Sequence, residues 1–272
     1  MSIQLAKPFH QQLAAADRGL VGMWVCSGSL VNAEIAAGSG LDWLLIDGEH
    51  TALTLESLQS QLQVVAAYPI TPMVRVPVND PVILNQFLDL GAVNLLVPMV
   101  NNAEQAAAAA SAVLYPPAGS RGVGSALARG ARWNRIPNYL ERANDEFVSL
   151  TVQIETAEAV KNVDEILAVE GVHAVFIGPS DLAASMGLIG QQGNPDVVAQ
   201  VRHVMEAAKA AGKPVGINAF NPALAHDYLD SCIDFVLVGA DVAMLARASE
   251  QLTSEFIAQR TGQKVADAIA SY

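Results

Sequence analysis

Two carboxylates follow short apolar runs at a spacing that suits the binding of a divalent cation. Glu155 ends the run that begins at Thr151, and Asp181 follows the run that begins at Val175, one strand–helix–strand step later. In a parallel α/β barrel, such residues lie side by side at the catalytic mouth. Oxygen ligands of this kind hold hard cations such as Mg²⁺ or Mn²⁺, and affinity rises toward Co²⁺. The alternative is structural, with Asp181 capping the next helix and Glu155 paired with an arginine.

Two further strand ends carry a candidate proton carrier and a candidate anion-binding group. His50 follows Asp47-Gly48-Glu49, and its pKa near neutrality suits acid–base work. Arg75 lies inside an apolar run, where a guanidinium needs a partner. Facing the mouth, it would hold a carboxylate or a developing oxyanion. The alternatives are an ordinary loop histidine and a structural ion pair of Arg75 with Asp47 or Glu49.

The other strand ends add polar side chains to the same expected mouth. An apolar barrel end would not need so many polar groups at these positions. They are Trp24 and Ser27 in the first unit, Gln153 in the fifth, Ser180 in the sixth, Asn218 in the seventh, and Gly239 and Asp241 in the eighth.

The positions of the lysines exclude Schiff-base chemistry at this mouth. A Schiff-base aldolase needs a lysine at the top of a barrel strand. The lysines are Lys7, Lys161, Lys209, Lys213 and Lys264, and none follows a strand-like run. A carbanion formed here would therefore need a metal as its electron sink. No G-x-S-x-G elbow or phosphate-binding loop is present, and the glycines of 119–124 follow no strand.

The elements that must position these groups alternate regularly between strand and helix. Most strand-like runs are continuously apolar, which is typical of strands covered on both faces. Clear helical patterns lie at 55–67, 81–90, 103–114, 157–169, 196–211 and 222–229. The strand-like runs are 21–26, 43–49, 71–77, 94–100, 149–156, 173–179, 214–220 and 235–241. Eight such units predict an α/β fold, a (β/α)₈ TIM barrel, as one domain over residues 1–272.

Two segments depart from this rhythm. The connection 115–147 is too long for a structureless loop without a function, and it contains Arg121, Arg129, Arg132 and Arg135. We expect its arginine-rich part to reach an active-site mouth, either its own or that of a neighbour. The tail after Asp241 predicts helices at 242–261 and 265–271, which we expect to pack on a neighbouring subunit.

Composition excludes several classes of function. The chain has 15 basic and 27 acidic residues, a net charge of −12, which argues against nucleic acid and anionic membrane surfaces. No apolar run reaches the roughly 18 residues of a membrane span, and the first residues lack the layout of a signal peptide. The two cysteines are too few for a disulfide scaffold. We therefore expect a cytoplasmic protein with a small-molecule substrate.

Four segments together carry a specific resemblance to a known family. They are residues 42–50, 95–100, 152–156 and 175–182. The chain resembles the metal-dependent (class II) pyruvate aldolases of the HpcH/HpaI family over nearly its whole length. The segment 121–137 is similar to the branch that splits 4-hydroxy-2-oxoheptanedioate into pyruvate and succinate semialdehyde in aromatic-acid breakdown. Relatives acting on 2-keto-3-deoxy sugar acids share most of this pattern.

The resemblance implies a carbon–carbon lyase and a role for each site residue. Glu155 and Asp181 would ligate Mg²⁺, Mn²⁺ or Co²⁺, Arg75 would stabilise the enolate oxygen, and His50 would move a proton. Asp89 would orient His50 across a subunit contact, which implies a homo-oligomer, typically a hexamer. The residues expected around the substrate are Trp24, Gln153, Ser180, Asn218 and Val123, with Asp47 and Glu49 supporting them.

One departure from the family leaves the aldehyde substrate open. Relatives often have an apolar residue where this chain has Asn218, and an amide there would favour a hydroxylated or otherwise polar aldehyde. Two further enzymes use the same scaffold, an oxaloacetate decarboxylase and a CoA-thioester lyase. The remaining alternative is an inert barrel that only binds a keto acid, which the set of Glu155, Asp181, His50 and Arg75 disfavours.

Overall fold

Eight parallel strands close into a barrel in chain order, with β8 paired to β1. The computed structural model describes residues 3, 5, 7–231 and 233–258. The strands are β1 (Leu20–Val25), β2 (Trp43–Asp47), β3 (Thr71–Arg75), β4 (Asn94–Val97), β5 (Ser149–Ile154), β6 (Ala174–Ile177), β7 (Val215–Asn218) and β8 (Phe235–Ala240). Each lies within or overlaps a predicted run, so the predicted (β/α)₈ barrel is confirmed.

Helices surround the barrel, and local capping residues fix where several of them begin. Thr54 forms a reciprocal capping box with Ser57, and Asp80 accepts hydrogen bonds from the first turn of the helix that starts at Pro81. The helices are α1 (Phe9–Ala15), α2 (Leu30–Ala37), α3 (Leu55–Val65), α4 (Pro81–Leu90), α5 (Ala103–Val113), α6 (Tyr139–Glu146), α7 (Ala157–Lys161), α8 (Val163–Leu167), α9 (Pro179–Ser185), α10 (Pro195–Ala210), α11 (Pro222–Ser231) and α12 (Asp241–Thr253).

The helical predictions are confirmed with three differences. The stretch predicted as one helix at 157–169 is divided into α7 and α8 at Asn162, whose backbone leaves the helical conformation. Helices α2 and α6 were not among the clear patterns, and α6 gives the long connection structure of its own. A π-helical turn, Ser254–Ala258, follows α12. The predicted helix at 265–271 and the last residues of the one at 242–261 lie outside the described residues.

The N-terminal end of the barrel is closed by an aromatic plug. Phe9 of α1 is fully buried, and its ring lies 5.2 Å from the rings of both Trp43 and Phe235. The backbone N–H of Phe9 donates to Asn94 Oδ1 at 2.7 Å. This plug leaves the C-terminal end as the open end of the barrel, where the candidate site lies.

The long connection between α5 and β5 packs against the outside of α4. The N–H of Gly122 donates to Asn85 Oδ1 at 2.9 Å, and the N–H of Gly130 donates to the carbonyl of Asp89 at 2.8 Å. Arg121 is buried with its guanidinium 4.5 Å from the ring centroid of Tyr115. The described residues include no helix long and apolar enough to cross a membrane.

Candidate active site

Arg75 lies at the centre of the polar network in the barrel mouth. It is buried, its Nε lies 2.8 Å from Asp47 Oδ1, and its Nη1 lies 3.0 Å from Glu49 Oε2. Glu49 can fold back onto β3 because Gly48 approaches the carbonyl of Arg75, where a Cβ would stand only 2.5 Å from that oxygen. Both ion pairs considered from the sequence are therefore present, and they hold the guanidinium in a fixed orientation.

Trp24 links this network to the strand on the far side of the mouth. The guanidinium carbon of Arg75 lies 4.4 Å from the ring centroid of Trp24, a cation–π contact. Trp24 Nε1 donates to Asn218 Oδ1 at 2.8 Å. This bond uses the carbonyl side of the amide, and the –NH₂ group of Asn218 donates to no residue that the structure describes, so both of its donors are open to a ligand.

Glu155 is buried beneath the mouth and keeps its proton unusually well. Its Oε1 accepts from the backbone N–H of Met99 at 2.7 Å, and its Oε2 accepts from the side-chain amide of Gln153. Burial raises the pKa of Glu155 to about 7, and the negative charges of Asp181 and Glu49 contribute, against the Met99 hydrogen bond and Arg75. A cation bound nearby would stabilise the ionised form of this carboxylate.

The surroundings of Glu155 fit a hard divalent cation. Gln153 Oε1 is buried and has no hydrogen-bond partner among the described residues. Gly178 keeps this space open, because a Cβ there would stand 3.0 Å from Glu155 Oε2. No group of three or more His, Cys, Asp or Glu side chains in the described parts of the chain has metal-binding geometry. Two carboxylates with open positions for water and substrate are the arrangement that Mg²⁺ tolerates.

Asp181 lies in the first turn of α9 and does not cap it. Gly178 is the residue before the helix, Pro179 is its first residue, and no side-chain cap is formed. The Asp181 carboxylate is exposed and makes no hydrogen bond to any residue that the structure describes. The capping alternative for Asp181 is therefore wrong, and its carboxylate is available to a ligand.

His50 stands at the rim of the mouth. Its side chain is 65% exposed, and its Nε2 lies 3.7 Å from Glu49 Oε2. The backbone N–H of His50 donates to Asp47 Oδ2 at 3.3 Å, so the same carboxylate that holds Arg75 also shapes the turn that carries His50. The ring can therefore reach a bound molecule without a change in the core.

The mouth encloses a cavity of about 300 Å³, within the range of small-molecule sites. Most of the predicted residues line it. They are Trp24, Asp47, His50, Arg75, Gln153, Ser180, Asp181 and Asn218. Cys26, Phe176 and Phe220 complete its wall.

Two predicted site residues lie elsewhere in the single chain. Asp89 is near the C-terminal end of α4, where its Oδ1 lies 3.1 Å from Arg121 Nη2. Val123 is 66% exposed and lines the same shallow groove as Asp89. The structure of one chain does not bring either residue to His50. No arginine of the segment 121–135 lines the chain's own mouth cavity.

Two other residues expected at the mouth have a structural role instead. Asp241 is the first residue of α12, and its carboxylate accepts from the backbone N–H groups of Cys26 and Ser27. The Ser27 hydroxyl donates to the same carboxylate. These hydrogen bonds tie the end of β1 to the start of α12, which follows β8. The N-terminus of a helix also stabilises a carboxylate, which favours Asp241 at this position.

The sequence did not single out Met99 as a functional residue. Its φ of 56° is rare for a side chain other than glycine, and it aims the Met99 N–H at Glu155. Met99 lies in the segment 95–100, which carries part of the family resemblance. The functional group is its backbone N–H, which every residue type except proline has, so the residue type itself gave no indication of this role.

The comparisons with known proteins agree with this geometry. A family model described as HpcH/HpaI aldolase/citrate lyase matches residues 20–248. The chain belongs to this family, so the resemblance seen in the sequence is confirmed, and the family's aldolases are carbon–carbon lyases.

Individual relatives within this family carry a more specific description, that of one kind of aldolase. The chain is 52% identical over 249 residues to a 4-hydroxy-2-oxo-heptane-1,7-dioate aldolase of Shigella sonnei, covering 92% of this chain and 95% of the relative. A protein of the same description from Escherichia coli is 51% identical with the same coverage. A solved HpcH/HpaI aldolase/citrate lyase family protein from Burkholderia cenocepacia superposes with a TM-score of 0.87 at 38% identity, covering 91% of this chain and 98% of that one.

Proposed function

We propose that this chain is a divalent-metal-dependent aldolase that cleaves 4-hydroxy-2-oxoheptane-1,7-dioate to pyruvate and succinate semialdehyde. The observation that carries the proposal is that Asp181 and the fixed guanidinium of Arg75 line one cavity, and that the charges of both act on the buried carboxylate of Glu155 beside it. The names of relatives that match nine-tenths of the chain support the substrate.

Glu155 and Asp181 would hold the cation, with the amide of Gln153 beside them. When bound, Mg²⁺, Mn²⁺ or Co²⁺ would supply Lewis-acid stabilisation of the negative charge that develops on the keto oxygen. Ser180, next to Asp181 on the wall of the cavity, would contact the carboxylate end of the pyruvate half.

Arg75 would stabilise the same developing charge from the other side. Asp47 and Glu49 fix the guanidinium by two ion pairs, so it needs no reorientation when charge appears. Burial strengthens this interaction, because little water competes for the donors. A preorganised donor of this kind stabilises the transition state more than the ground state.

His50 would move the proton. In the cleavage direction the 4-hydroxyl loses its proton to His50, and the C3–C4 bond breaks to release the aldehyde. The electron pair of that bond becomes the enolate of pyruvate, and a proton then returns to C3. His50 is exposed at the rim, so it can exchange this proton with water between turnovers.

Asn218 favours a second candidate substrate class. Its –NH₂ group, which bonds to no described residue, belongs to a side chain on the wall of the cavity. It could donate to a hydroxyl of a sugar-derived aldehyde, which supports a 2-keto-3-deoxy sugar acid aldolase. This class differs from the first only in the aldehyde half.

We further propose a homo-oligomer, of the hexameric kind, that acts in the cytoplasm. Helix α12 exposes Met244, Leu245 and Leu252 at about 60% each, and the groove with Asp89 and Val123 is also open in one chain. An apolar face of this kind supports an interface between subunits. Sedimentation analysis of the purified chain tests the subunit count.

The proposal is tested by measuring pyruvate release from 4-hydroxy-2-oxoheptane-1,7-dioate and from a 2-keto-3-deoxy sugar acid. Each substrate is assayed with EDTA and again after Mg²⁺, Mn²⁺ or Co²⁺ is restored. We expect metal-dependent release, and the ratio of the two rates decides between the substrates. Release that survives EDTA would contradict the two-carboxylate site, and oxaloacetate and a CoA thioester serve as the next substrates if neither acid is cleaved.

A further inference from the structure

A second cavity lies at the N-terminal end of the barrel, opposite the mouth. Its volume is about 600 Å³, within the range of metabolite-sized sites. Part of its wall is apolar, formed by Leu20, Leu62, Ile70 and Pro72. Arg129 and Arg132, from the long connection, supply the polar part together with Lys7 and Asp17.

Arg129 brings a positive charge into this cavity that no described carboxylate contacts. It is more than nine-tenths buried, and its recorded hydrogen bonds go to two backbone carbonyls, those of Leu62 and Leu90. These carbonyls lie at the C-terminal ends of α3 and α4, so Arg129 also caps two helices. Two of the five N–H donors of a guanidinium are used in this way.

Arg132 places a second guanidinium beside the first. Its Nη1 donates to the carbonyl of Arg129 at 2.7 Å, and its remaining donors are unused by the described residues. Burial and, to a smaller extent, the positive charge of Arg132 together lower the pKa of Arg129 to about 10. Two like charges held together without an acidic partner are electrostatically unfavourable unless an anion joins them.

The backbone holds Arg132 in this position. Arg132, Trp133 and Asn134 have φ values of 50°, 55° and 58°, three consecutive residues in the left-handed region that side chains rarely adopt. Arg18, which also lines the cavity, is already neutralised by Asp42 through two contacts of 2.8 Å. The chain has a net charge of −12, so the pair Arg129–Arg132 is a local concentration of positive charge in an acidic protein.

We infer that the cavity at the N-terminal end of the barrel is a binding site for a small oxyanion, a carboxylate or phosphate group carried by a metabolite, held by Arg129 and Arg132. Guanidinium groups suit both oxyanions because their donors form parallel hydrogen bonds to two oxygens. The apolar wall would receive the carbon portion of the ligand. Because the cavity lies at the end opposite the mouth, its ligand does not compete with the aldolase substrate.

The test is calorimetric titration of the full chain, in EDTA, with succinate and separately with inorganic phosphate. Arg132→Gln removes one guanidinium, and Arg135→Gln is the matched control, because Arg135 is exposed on the same loop and does not line the cavity. We expect Arg132→Gln to weaken binding at least tenfold and Arg135→Gln to leave it within twofold. Any binding at the mouth is the same in both variants, and the anion that binds more tightly identifies the class of ligand.

A second pair of variants leaves both arginines in place. Ala66 lines the cavity at the end of α3, and Ala66→Glu adds an internal carboxylate that would occupy the guanidinium donors. We expect Ala66→Glu to weaken anion binding at least tenfold, whereas the neutral Ala66→Gln retains it. If Arg132→Gln does not fold, this pair decides. Failure of both anions to bind, or equal binding in Arg132→Gln and Arg135→Gln, would overturn the inference.

Discussion

The two ends of the barrel handle ionisable side chains in opposite ways. At the mouth, burial raises the pKa of both Glu155 and Glu49, the negative charge of Asp181 adds to both shifts, and Arg75 acts in the opposite direction on both. At the closed end, His10 and His173 stack with ring centroids 4.2 Å apart, and burial lowers the pKa of both. The mouth gathers carboxylates around a ligand cavity, whereas the histidine pair at the closed end favours neutral rings.

The ionisable groups at the mouth serve ligand binding, whereas the histidine pair at the closed end serves stability. Carboxylates that repel one another destabilise the free protein and gain from a bound cation, so the mouth gives up stability for function. The stacked histidines make no known contact with substrate and contribute to the packing of α1 on the barrel. Variants at the two ends should therefore change different measurements.

The largest expected effect is at the mouth. Glu155→Gln should lower kcat roughly 10³-fold because it removes a carboxylate that supports the cation. The thermal midpoint in EDTA should not fall, because a neutral amide relieves the burial of a charge. Steady-state kinetics and calorimetry measure the two, with exposed Glu158→Gln as the control. A clear loss of stability in EDTA would show that Glu155 is structural.

His50→Ala tests the proton carrier. Loss of a general acid–base group typically costs 10²–10⁴-fold, and we expect a fall of about 10²-fold in kcat. Stability should be unchanged because the ring is exposed. Steady-state kinetics measures the fall, and an unchanged kcat would remove His50 from the mechanism.

At the closed end, acid should weaken the fold through His173. Burial lowers its pKa to about 4, with smaller contributions from His10 and Lys213, whereas the unfolded chain has a value near 6.5. Between these values only the unfolded state binds the proton, so stability is complete above about pH 6.5 and is lost as the pH falls toward 4. The loss should reach about 3 kcal/mol.

Urea unfolding between pH 4 and 7 measures this loss. His173→Gln cannot titrate, so its free energy of unfolding should depend less on pH across the window. The control is His226→Gln, an exposed histidine on α11. Equal pH dependence in all three proteins would contradict the assignment to His173.

The smallest expected effect concerns the aldehyde. Asn218→Leu removes the partner of Trp24 Nε1 and the free –NH₂ group. The ratio of kcat/KM for a hydroxylated aldehyde acceptor over succinate semialdehyde, measured in the synthetic direction with pyruvate, should fall about tenfold. Asn221→Leu, an exposed change just beyond the same strand, serves as the control. If the ratio is the same in Asn218→Leu as in the unchanged protein, other residues determine the selectivity for the aldehyde.

The sequence was sufficient for the strands and for the side chains at their ends. Glu155 and His50 lie at the ends of apolar runs and Arg75 lies inside one, and the alternation of strand and helix brings such positions together in a barrel. These are local patterns, which is why the pairing of Arg75 with Asp47 could also be considered in advance.

Contacts between distant parts of the chain could not be predicted in this way. The bond between Trp24 and Asn218 joins residues 194 positions apart, and the donor of Met99 belongs to the backbone. Asp241 was expected to serve the mouth because it ends an apolar run, but as the first residue of α12 it binds the backbone of β1's end instead. The position of Arg129 likewise depends on how a long connection packs against α4.

The aromatic plug limits when the contacts of α1 can form during synthesis of the protein. Phe9 belongs to α1, yet its ring contacts the rings of Trp43 and Phe235, and Phe235 lies on β8. Because synthesis runs from the N-terminus to the C-terminus, α1 can complete these contacts only after β8 has left the ribosomal exit tunnel. Until then the Phe9 ring lacks one of its two aromatic neighbours, and apolar surface that is exposed for a time in this way is prone to aggregate.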